Sequence, residues 1–186
     1  PKGYQISQFF FPIIKNGHLT IYNKNKKKII NIDRAHLEED AGKLLHKNKN
    51  YTEIDFNRAG TALLEIVSKP DINSAIEASK YLKTLHNIIC HINICDGKLQ
   101  EGSFRCDVNI SIKKKCSKIL GTKVEIKNIN SFKFVENAIN YEIKRQIYLL
   151  KNNKKIIQET RLYDTTTNKT KKMRAKEDSK DYRYFP

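Results

Sequence analysis

The sequence predicts an α+β fold, with a largely antiparallel sheet flanked by helices. Strand-like runs follow one another along much of the chain, and two longer segments between them repeat apolar residues with a helical period. No internal repeat or long linker divides the 186 residues, of which 39% are hydrophobic. A chain of this length can bury a hydrophobic core without disulfides or bound metals, so we expect residues 1–186 to belong to one domain. No apolar run approaches the roughly 18 residues of a membrane span.

The first part of the chain is expected to supply strands. Residues 18–22 and 27–33 are β-rich runs on either side of a polar segment, residues 23–26, which predicts a hairpin. Residues 61–68 (TALLEIVS) form a nearly continuous apolar run. This run indicates a buried strand that Pro70 ends.

Two amphipathic helices are predicted further along the chain. The first covers Asp71–Cys90, and Ser74 with Glu77 matches a capping box. The second covers Ser131–Leu150. Their apolar faces are expected to consist of Ala78, Leu82, Leu85 and Ile89 in the first helix, and of Phe132, Val135, Ile139, Ile143, Ile147 and Leu150 in the second. A final hairpin is predicted from residues 158–164 and 172–176 across residues 165–170.

The most informative region for chemistry is the pair of runs Cys106–Ile112 and Thr122–Asn128, in which polar and apolar residues alternate. One lysine-rich loop joins them, so we expect antiparallel pairing with the apolar faces toward the core. The opposite face then collects Asp107, Asn109, Glu125 and Lys127. Such a set suits Mg²⁺ and a triphosphate, and it is equally typical of an ordinary solvated sheet face.

Three further polar clusters stand out. HLEEDAGK (36–43) places three acids in a row, which repel one another unless they are exposed or neutralised by a cation. Arg58 is suited to clamp a phosphate or carboxylate, or to form a structural ion pair. Glu101 and Arg105 lie just before the Asp107 strand. The sequence contains no P-loop, no G-x-G-x-x-G, no nucleophile elbow and no C-x-x-C pair, which argues against P-loop, Rossmann, hydrolase and zinc-finger proteins.

The net charge of +16 has two interpretations. A basic protein is suited to nucleic acid. However, the 36 basic residues comprise 29 lysines and only 7 arginines, whereas surfaces dedicated to phosphate favour arginine. Abundant Lys, Asn and Ile also follow from A/T-rich coding. Both explanations stay open at this point.

Ordered sequence blocks identify a resemblance that runs from end to end of the chain. The blocks are GYQISQ (3–8), HLEEDAGK (36–43), DFNRAGTALLEIVSKPDI (55–72), EGSFRCDVNIS (101–111), EIKNINSF (125–132), QETR (158–161) and DYRYFP (181–186). Together they resemble the B subunits of the aspartyl/glutamyl-tRNA(Asn/Gln) amidotransferases. The resemblance implies the kinase-like catalytic "cradle" domain, with a fold similar to the catalytic domain of glutamine synthetase.

The reaction that this resemblance implies is ATP-dependent amidation of a mischarged tRNA, with glutamine as amido donor. ATP phosphorylates the side-chain carboxylate of Glu-tRNA(Gln) or Asp-tRNA(Asn), and ammonia from the amidase (A) subunit displaces the phosphate. The implied cofactors are ATP and Mg²⁺. The implied partners are the tRNA, the amidase and a small (C) subunit that braces the contact between the other two, with no membrane involved.

The resemblance also implies roles for individual residues. Glu39, Asp107 and Glu125 correspond to the metal ligands, and Asp107, Glu125 and Lys127 to the catalytic set. The remaining expected contacts to nucleotide or acyl phosphate are Arg58, Arg105, Asn109 and Asn128, with Glu101 as an outer-shell acid.

The segment departs from the family pattern in several places. An upstream G-L-E-V-H strand and the helical and tail domains that follow DYRYFP in the family are not part of it, so we expect a fragment that is inactive alone. Ala62, Lys69 and Gln100 stand where the family usually has Pro, an acid and a second acid. These departures keep open an alternative, a non-catalytic tRNA-binding or scaffold module. The abundance of residues with A/T-rich codons suggests that the protein belongs to an organelle, either a plastid (apicoplast) or a mitochondrion.

Overall fold

The computed structural model describes residues 4–24, 26–46 and 50–173, and the backbone of residues 184–185. Two helices and mostly antiparallel strands confirm the predicted α+β class. The chain forms two compact units. The first contains the described parts of residues 1–19, 29–71 and 177–186, and the second contains those of residues 20–28 and 72–176. None of the described helices is long and apolar enough to cross a membrane.

The first unit is built around a three-stranded sheet in the order β2-β3-β6. Its strands are β2 (Ile14–Asn23), β3 (Lys26–Glu39) and β6 (Ala62–Ser68), and the ends of β2 and β3 near their turn belong to the second unit. The predicted hairpin over residues 18–33 is confirmed and extends further in both directions. Strand β6 is also confirmed, but its predicted burial is wrong, because β6 is an edge strand with residues that are exposed or half-buried.

Two small pairs of strands complete the first unit. Strands β4 (Lys43–Leu45) and β5 (Glu53–Asp55) pair antiparallel. Strand β1 (Gln5–Ile6) pairs in parallel with β11 (Tyr184–Phe185). An isolated bridge between Ser7 and Glu38 ties the N-terminal segment to β3.

The second unit packs two helices against a four-stranded sheet in the order β10-β9-β8-β7. The elements are α1 (Ala75–His91), β7 (Cys106–Ile110), β8 (Val124–Ile129), α2 (Phe132–Lys151), β9 (Thr160–Asp164) and β10 (Lys169–Lys172). Helix α2 is the crossover between the parallel strands β8 and β9, while the other two pairs are antiparallel. The buried core includes Leu82, Phe104, Ile126, Val135, Ala138 and Tyr163.

A serine caps the N-terminus of each helix. Ser74 caps α1 by accepting a hydrogen bond from the Glu77 N–H at 3.2 Å, which is one half of the predicted capping box. The Glu77 carboxylate instead accepts from the Asn73 N–H at 2.8 Å and from the Lys28 ammonium at 2.6 Å. Helix α1 therefore begins at Ala75, four residues later than predicted. Ser131 caps α2 through the Phe134 N–H at 3.1 Å.

The C-terminal hairpin is confirmed with shorter strands and an earlier second strand. Strand β10 starts at Lys169, three residues before the predicted position. The Asp164 carboxylate explains the tight turn, because it accepts hydrogen bonds from the N–H groups of Thr166 and Thr167. The predicted positions 174–176 lie outside the described residues.

Candidate active site

The polar face of strands β7 and β8 carries most of the predicted site residues. Val124 and Ile126 are fully buried, so the alternating residues Glu125 and Lys127 lie on the opposite face. Strand β7 pairs antiparallel with β8, and Asn109 lies directly across from Glu125. The predicted pairing and the shared polar face are therefore confirmed.

Two carboxylates on this face approach the same ammonium group. Lys127 Nζ lies 3.3 Å from a carboxylate oxygen of Asp107 and 3.6 Å from one of Glu125. The three side chains are 39%, 47% and 31% exposed for Lys127, Asp107 and Glu125 respectively. Ion pairs this accessible contribute little to stability, so the cluster is not a structural clamp. We call Asp107 and Glu125 the carboxylate pair.

Strand β9 orients one member of the carboxylate pair. The parallel register places Thr160 beside Glu125, and the Thr160 hydroxyl donates a hydrogen bond of 2.8 Å to the second carboxylate oxygen of Glu125. The Glu125 N–H donates to the Glu159 carbonyl at 3.1 Å. The sequence contains the QETR block, but nothing in its pattern indicates a role for Thr160. The parallel pairing that brings Thr160 to the site is non-local, and no local pattern reveals it.

A β-bulge shapes the end of β8 next to the site. The register shifts between Cys106 and Val108, so Lys127 and Asn128 together lie across from Asp107. Asn128 has a positive φ of 67°, which asparagine tolerates better than most residues. Its side-chain amide donates to the Tyr163 carbonyl at 3.0 Å, so Asn128 braces β8 against β9. The expected contact of Asn128 with nucleotide stays a prediction.

Two further predicted residues precede β7. Arg105 is exposed at the position directly before the strand. Glu101 lies at the surface, 3.0 Å from the Lys98 ammonium. The nucleotide contact of Arg105 and the outer-shell role of Glu101 stay predictions.

The other two predicted residues belong to the first unit. Glu39 is the last residue of β3, across from Ala62 on β6, and its carbonyl accepts a hydrogen bond from the Gln5 side chain at 3.0 Å. Arg58 Nε donates to the Asp40 carboxylate at 2.9 Å. This contact is the structural ion pair that the sequence left open for Arg58, and a role in phosphate binding stays a prediction.

Comparison with known proteins places the chain in one family. An α+β unit with a carboxylate pair on a rigid sheet face is suited to an enzyme that binds a metal ion and phosphate groups. Over residues 1–186 the chain matches the family described as "GatB/GatE catalytic domain", and it belongs to that family. The expected resemblance is thereby confirmed.

Individual relatives agree with this assignment. The chain is 59% identical over 188 residues to the B subunit of the aspartyl/glutamyl-tRNA(Asn/Gln) amidotransferase of Coxiella burnetii (strain RSA 493 / Nine Mile phase I). It is 59% identical over 187 residues to the protein of the same name from Vesicomyosocius okutanii, and 55% identical over 188 residues to that from Alkalilimnicola ehrlichii. Each match covers 100% of the chain and 39% of the relative. These relatives are bacterial and give no support to an organellar origin.

Proposed function

We propose that this chain is the catalytic domain of an ATP-dependent tRNA amidotransferase, and that it activates the side-chain carboxylate of Glu-tRNA(Gln) or Asp-tRNA(Asn). Membership in the GatB/GatE family supports the class of enzyme. The observation that carries the proposal is the approach of Asp107 and Glu125, from two adjacent strands, to one cationic group.

The donor set of the carboxylate pair fits Mg²⁺. Carboxylate oxygens are ligands that Mg²⁺ prefers, and the Lys127 ammonium already lies where one cation is close to both carboxylates. In the proposal, Asp107 and Glu125 hold the ion, whereas the ligand role of Glu39, which lies in the first unit, stays a prediction from the family resemblance. When bound, the ion neutralises negative charge on ATP and on the transferring phosphoryl group.

The remaining residues act on the substrates in this proposal. Lys127 releases the carboxylate pair and donates hydrogen bonds to phosphoryl oxygens. Arg105 and Asn109 are exposed on or beside β7, and in the proposal they contact the nucleotide. A further proposed contact is that of Asn128 with phosphate oxygens, and Glu101 is proposed as an acid outside the first layer of ligands. A phosphate contact of Arg58, which lies in the first unit, stays a prediction from the family resemblance.

The proposed reaction has two steps, a phosphoryl transfer and an amidation. A carboxylate oxygen of the aminoacyl side chain attacks the γ-phosphorus of ATP, and the bond from that phosphorus to the bridging oxygen of ADP breaks. Ammonia then attacks the carbonyl carbon of the acyl phosphate, loses a proton and displaces inorganic phosphate to leave the carboxamide. The amidase (A) subunit supplies the ammonia from glutamine, and the small (C) subunit, where present, braces the assembly.

Substitution of Glu125 in the assembled enzyme tests this proposal. We expect Glu125→Gln to lower the ATP-dependent conversion of Glu-tRNA(Gln) to Gln-tRNA(Gln) by about a hundredfold or more, because charge stabilisation is removed from the phosphoryl transfer. A chelator should abolish the conversion by the wild-type enzyme. Glu136→Gln is the matched control, since Glu136 lies on helix α2 and forms its ion pair with Lys133, at 3.7 Å, away from the carboxylate pair.

The same experiment separates the catalytic from the scaffold hypothesis. Unchanged conversion by Glu125→Gln, with normal tRNA binding, would contradict a catalytic role for the carboxylate pair. The chain would then be a tRNA-binding or scaffold module, and another part of the complex would perform the chemistry.

A further inference from the structure

We propose that the first unit contains a transition-metal site formed by His36, Glu38 and Glu65, with Zn²⁺ as the best-fitting ion. None of these residues belongs to the predicted Mg²⁺ set. His36 Nε2 lies 3.1 Å from a carboxylate oxygen of Glu65 and 3.8 Å from one of Glu38. One ligand atom from each residue lies within 4.8 Å of the other two.

The sheet fixes these three residues in one arrangement. His36 on β3 lies directly across from Glu65 on β6, and the two strands are antiparallel. Glu38 follows His36 by two residues on the same strand, so the two side chains share a face. The site is therefore built on regular β-structure, which holds side chains more rigidly than a loop does.

The histidine of this cluster is buried, which fixes its position. The His36 side chain is only 1% exposed, and the Phe9 ring packs edge-on against it at 5.7 Å between ring centres. Its Nδ1 atom is buried without a hydrogen-bond partner among the described residues. The other ring nitrogen, Nε2, faces the two carboxylates, so the buried ring presents one nitrogen donor to the proposed site.

The distances suit a tetrahedral metal ion. Zn²⁺ binds nitrogen and oxygen ligands at about 2.0–2.2 Å, which separates neighbouring tetrahedral ligands by roughly 3.3 Å. The two distances from His36 Nε2 bracket that value. One imidazole and two carboxylates are ligands that Zn²⁺ accepts, and the two negative charges balance a dication. The three residues leave a fourth position for water or another ligand.

Zinc binding to the metal-free, untagged chain tests the inference. We expect isothermal titration to detect one Zn²⁺ per chain, and Co²⁺ in its place to give the visible absorption of a tetrahedral site. Glu65→Gln should weaken Zn²⁺ binding about tenfold or more, since loss of a direct ligand costs at least as much as loss of a group behind it. Glu65 is 49% exposed, so this variant should fold normally, and circular dichroism checks that it does.

Controls distinguish this site from the other metal-binding groups of the chain. Asp107→Asn changes the carboxylate pair in the second unit and should leave Zn²⁺ binding unchanged. A near-ultraviolet charge-transfer band from Co²⁺ to thiolate would assign the metal to the free cysteines instead and overturn the inference. Absence of stoichiometric binding, or equal binding by wild type and Glu65→Gln, would also overturn it. Each result is independent of tRNA amidation, so failure of the proposed function leaves this test intact.

Discussion

At the scale of single residues, Thr160 is the side chain whose role depends most on non-local structure. Its hydroxyl holds one oxygen of Glu125 at 2.8 Å, while Lys127 lies near the other. We expect Thr160→Val to lower tRNA amidation about tenfold, because a hydrogen bond to a charged group contributes on the order of 1.5–3 kcal/mol and about 1.4 kcal/mol corresponds to tenfold in rate. Thr160 acts here as a positioning residue for Glu125.

Initial rates measured over a range of Mg²⁺ concentrations check this prediction. Thr160→Val should need more Mg²⁺ for half-maximal rate, and Thr160→Ser should restore the wild-type value because serine keeps the hydroxyl. Thr122→Val is the control, since Thr122 is exposed and precedes β8. If the serine variant behaves like the valine variant, the effect of Thr160 comes from packing and the positioning role is wrong.

Asp164 gives a pH-dependent prediction at the same scale. A hydrogen bond from Lys171, at 2.5 Å, and others from the turn hold the pKa of the Asp164 carboxyl well below its usual range. The stabilisation of the fold by ionised Asp164 is therefore complete above the unfolded-state pKa of about 3.9, and it is lost progressively as the pH falls below that value. We expect the Tm difference between wild type and Asp164→Asn to narrow as the pH is lowered from about 7 to about 3.

Removal of the ammonium tests the cause of this pH dependence. Lys171→Met should also narrow the Tm difference from wild type at low pH, but by less than Asp164→Asn, because the N–H groups of the turn still lower the pKa of Asp164 in this variant. A Tm difference that stays constant across this pH range would contradict the assignment to Asp164.

At the scale of elements, helix α2 departs from its sequence pattern in an instructive way. Val135 and Ile139 are buried as predicted, but Ile147 and Leu150 are 40% and 49% exposed, so the predicted apolar stripe is wrong for the last two turns. Glu142 and Gln146 are buried in their place, and both are fully inaccessible. Glu142 and Gln146 are buried because they bind residues on other segments of the chain, and the helical period of the sequence does not reveal such partners.

Glu142 connects the helix to the sheet through buried ion pairs. Its carboxylate accepts two hydrogen bonds from Arg145, at 2.9 and 2.7 Å, and one from Thr170 of β10 at 3.2 Å, and it lies 3.7 Å from Arg161 of β9. We expect Glu142→Gln to lower the free energy of unfolding by about 1.5–3 kcal/mol, because both arginines lose hydrogen bonds to a charged group but keep Glu159 as a second carboxylate. Urea denaturation measures this change.

A second glutamate on the same helix provides the matched comparison. Glu136→Gln should change the free energy of unfolding by less than about 0.5 kcal/mol, since the partner of Glu136 is the exposed Lys133. Equal effects of the Glu136 and Glu142 substitutions would mean that the buried network contributes no more than a surface ion pair.

Local elements of this fold could be predicted from sequence, and long-range pairings could not. The hairpin near residues 18–33, both helices and the β7–β8 pairing follow from short-range signals such as alternation, serine caps and turn residues. The neighbours Glu125 and Thr160, or His36 and Glu65, meet only because strands distant in sequence pair in one register. The sequence therefore predicted the carboxylate pair, but it missed the hydroxyl that orients Glu125 and the histidine cluster.

At the scale of the whole molecule, the net charge of +16 is the feature for which the fold identifies no binding partner. The loop between β7 and β8 contains the exposed residues Lys113, Lys114 and Lys115, and it joins the two strands that carry the carboxylate pair. If the proposed function holds, the aminoacyl end of the tRNA must reach this face. Lysines beside it are then well placed to contact phosphates.

Salt dependence of tRNA binding decides between a phosphate-binding role and a coding bias for these lysines. Each phosphate contact adds about 0.7–0.9 to the slope of log affinity against log salt, so we expect charge reversal of Lys113, Lys114 and Lys115 to reduce the slope by about 2. Charge reversal of the exposed Lys151, Lys154 and Lys155, at the end of α2, is the control, because it changes the net charge by the same amount. Equal effects would indicate long-range attraction by total charge, whereas a loss confined to the β7–β8 loop would identify direct contacts. A slope unchanged in both variants would leave A/T-rich coding as the explanation for these lysines.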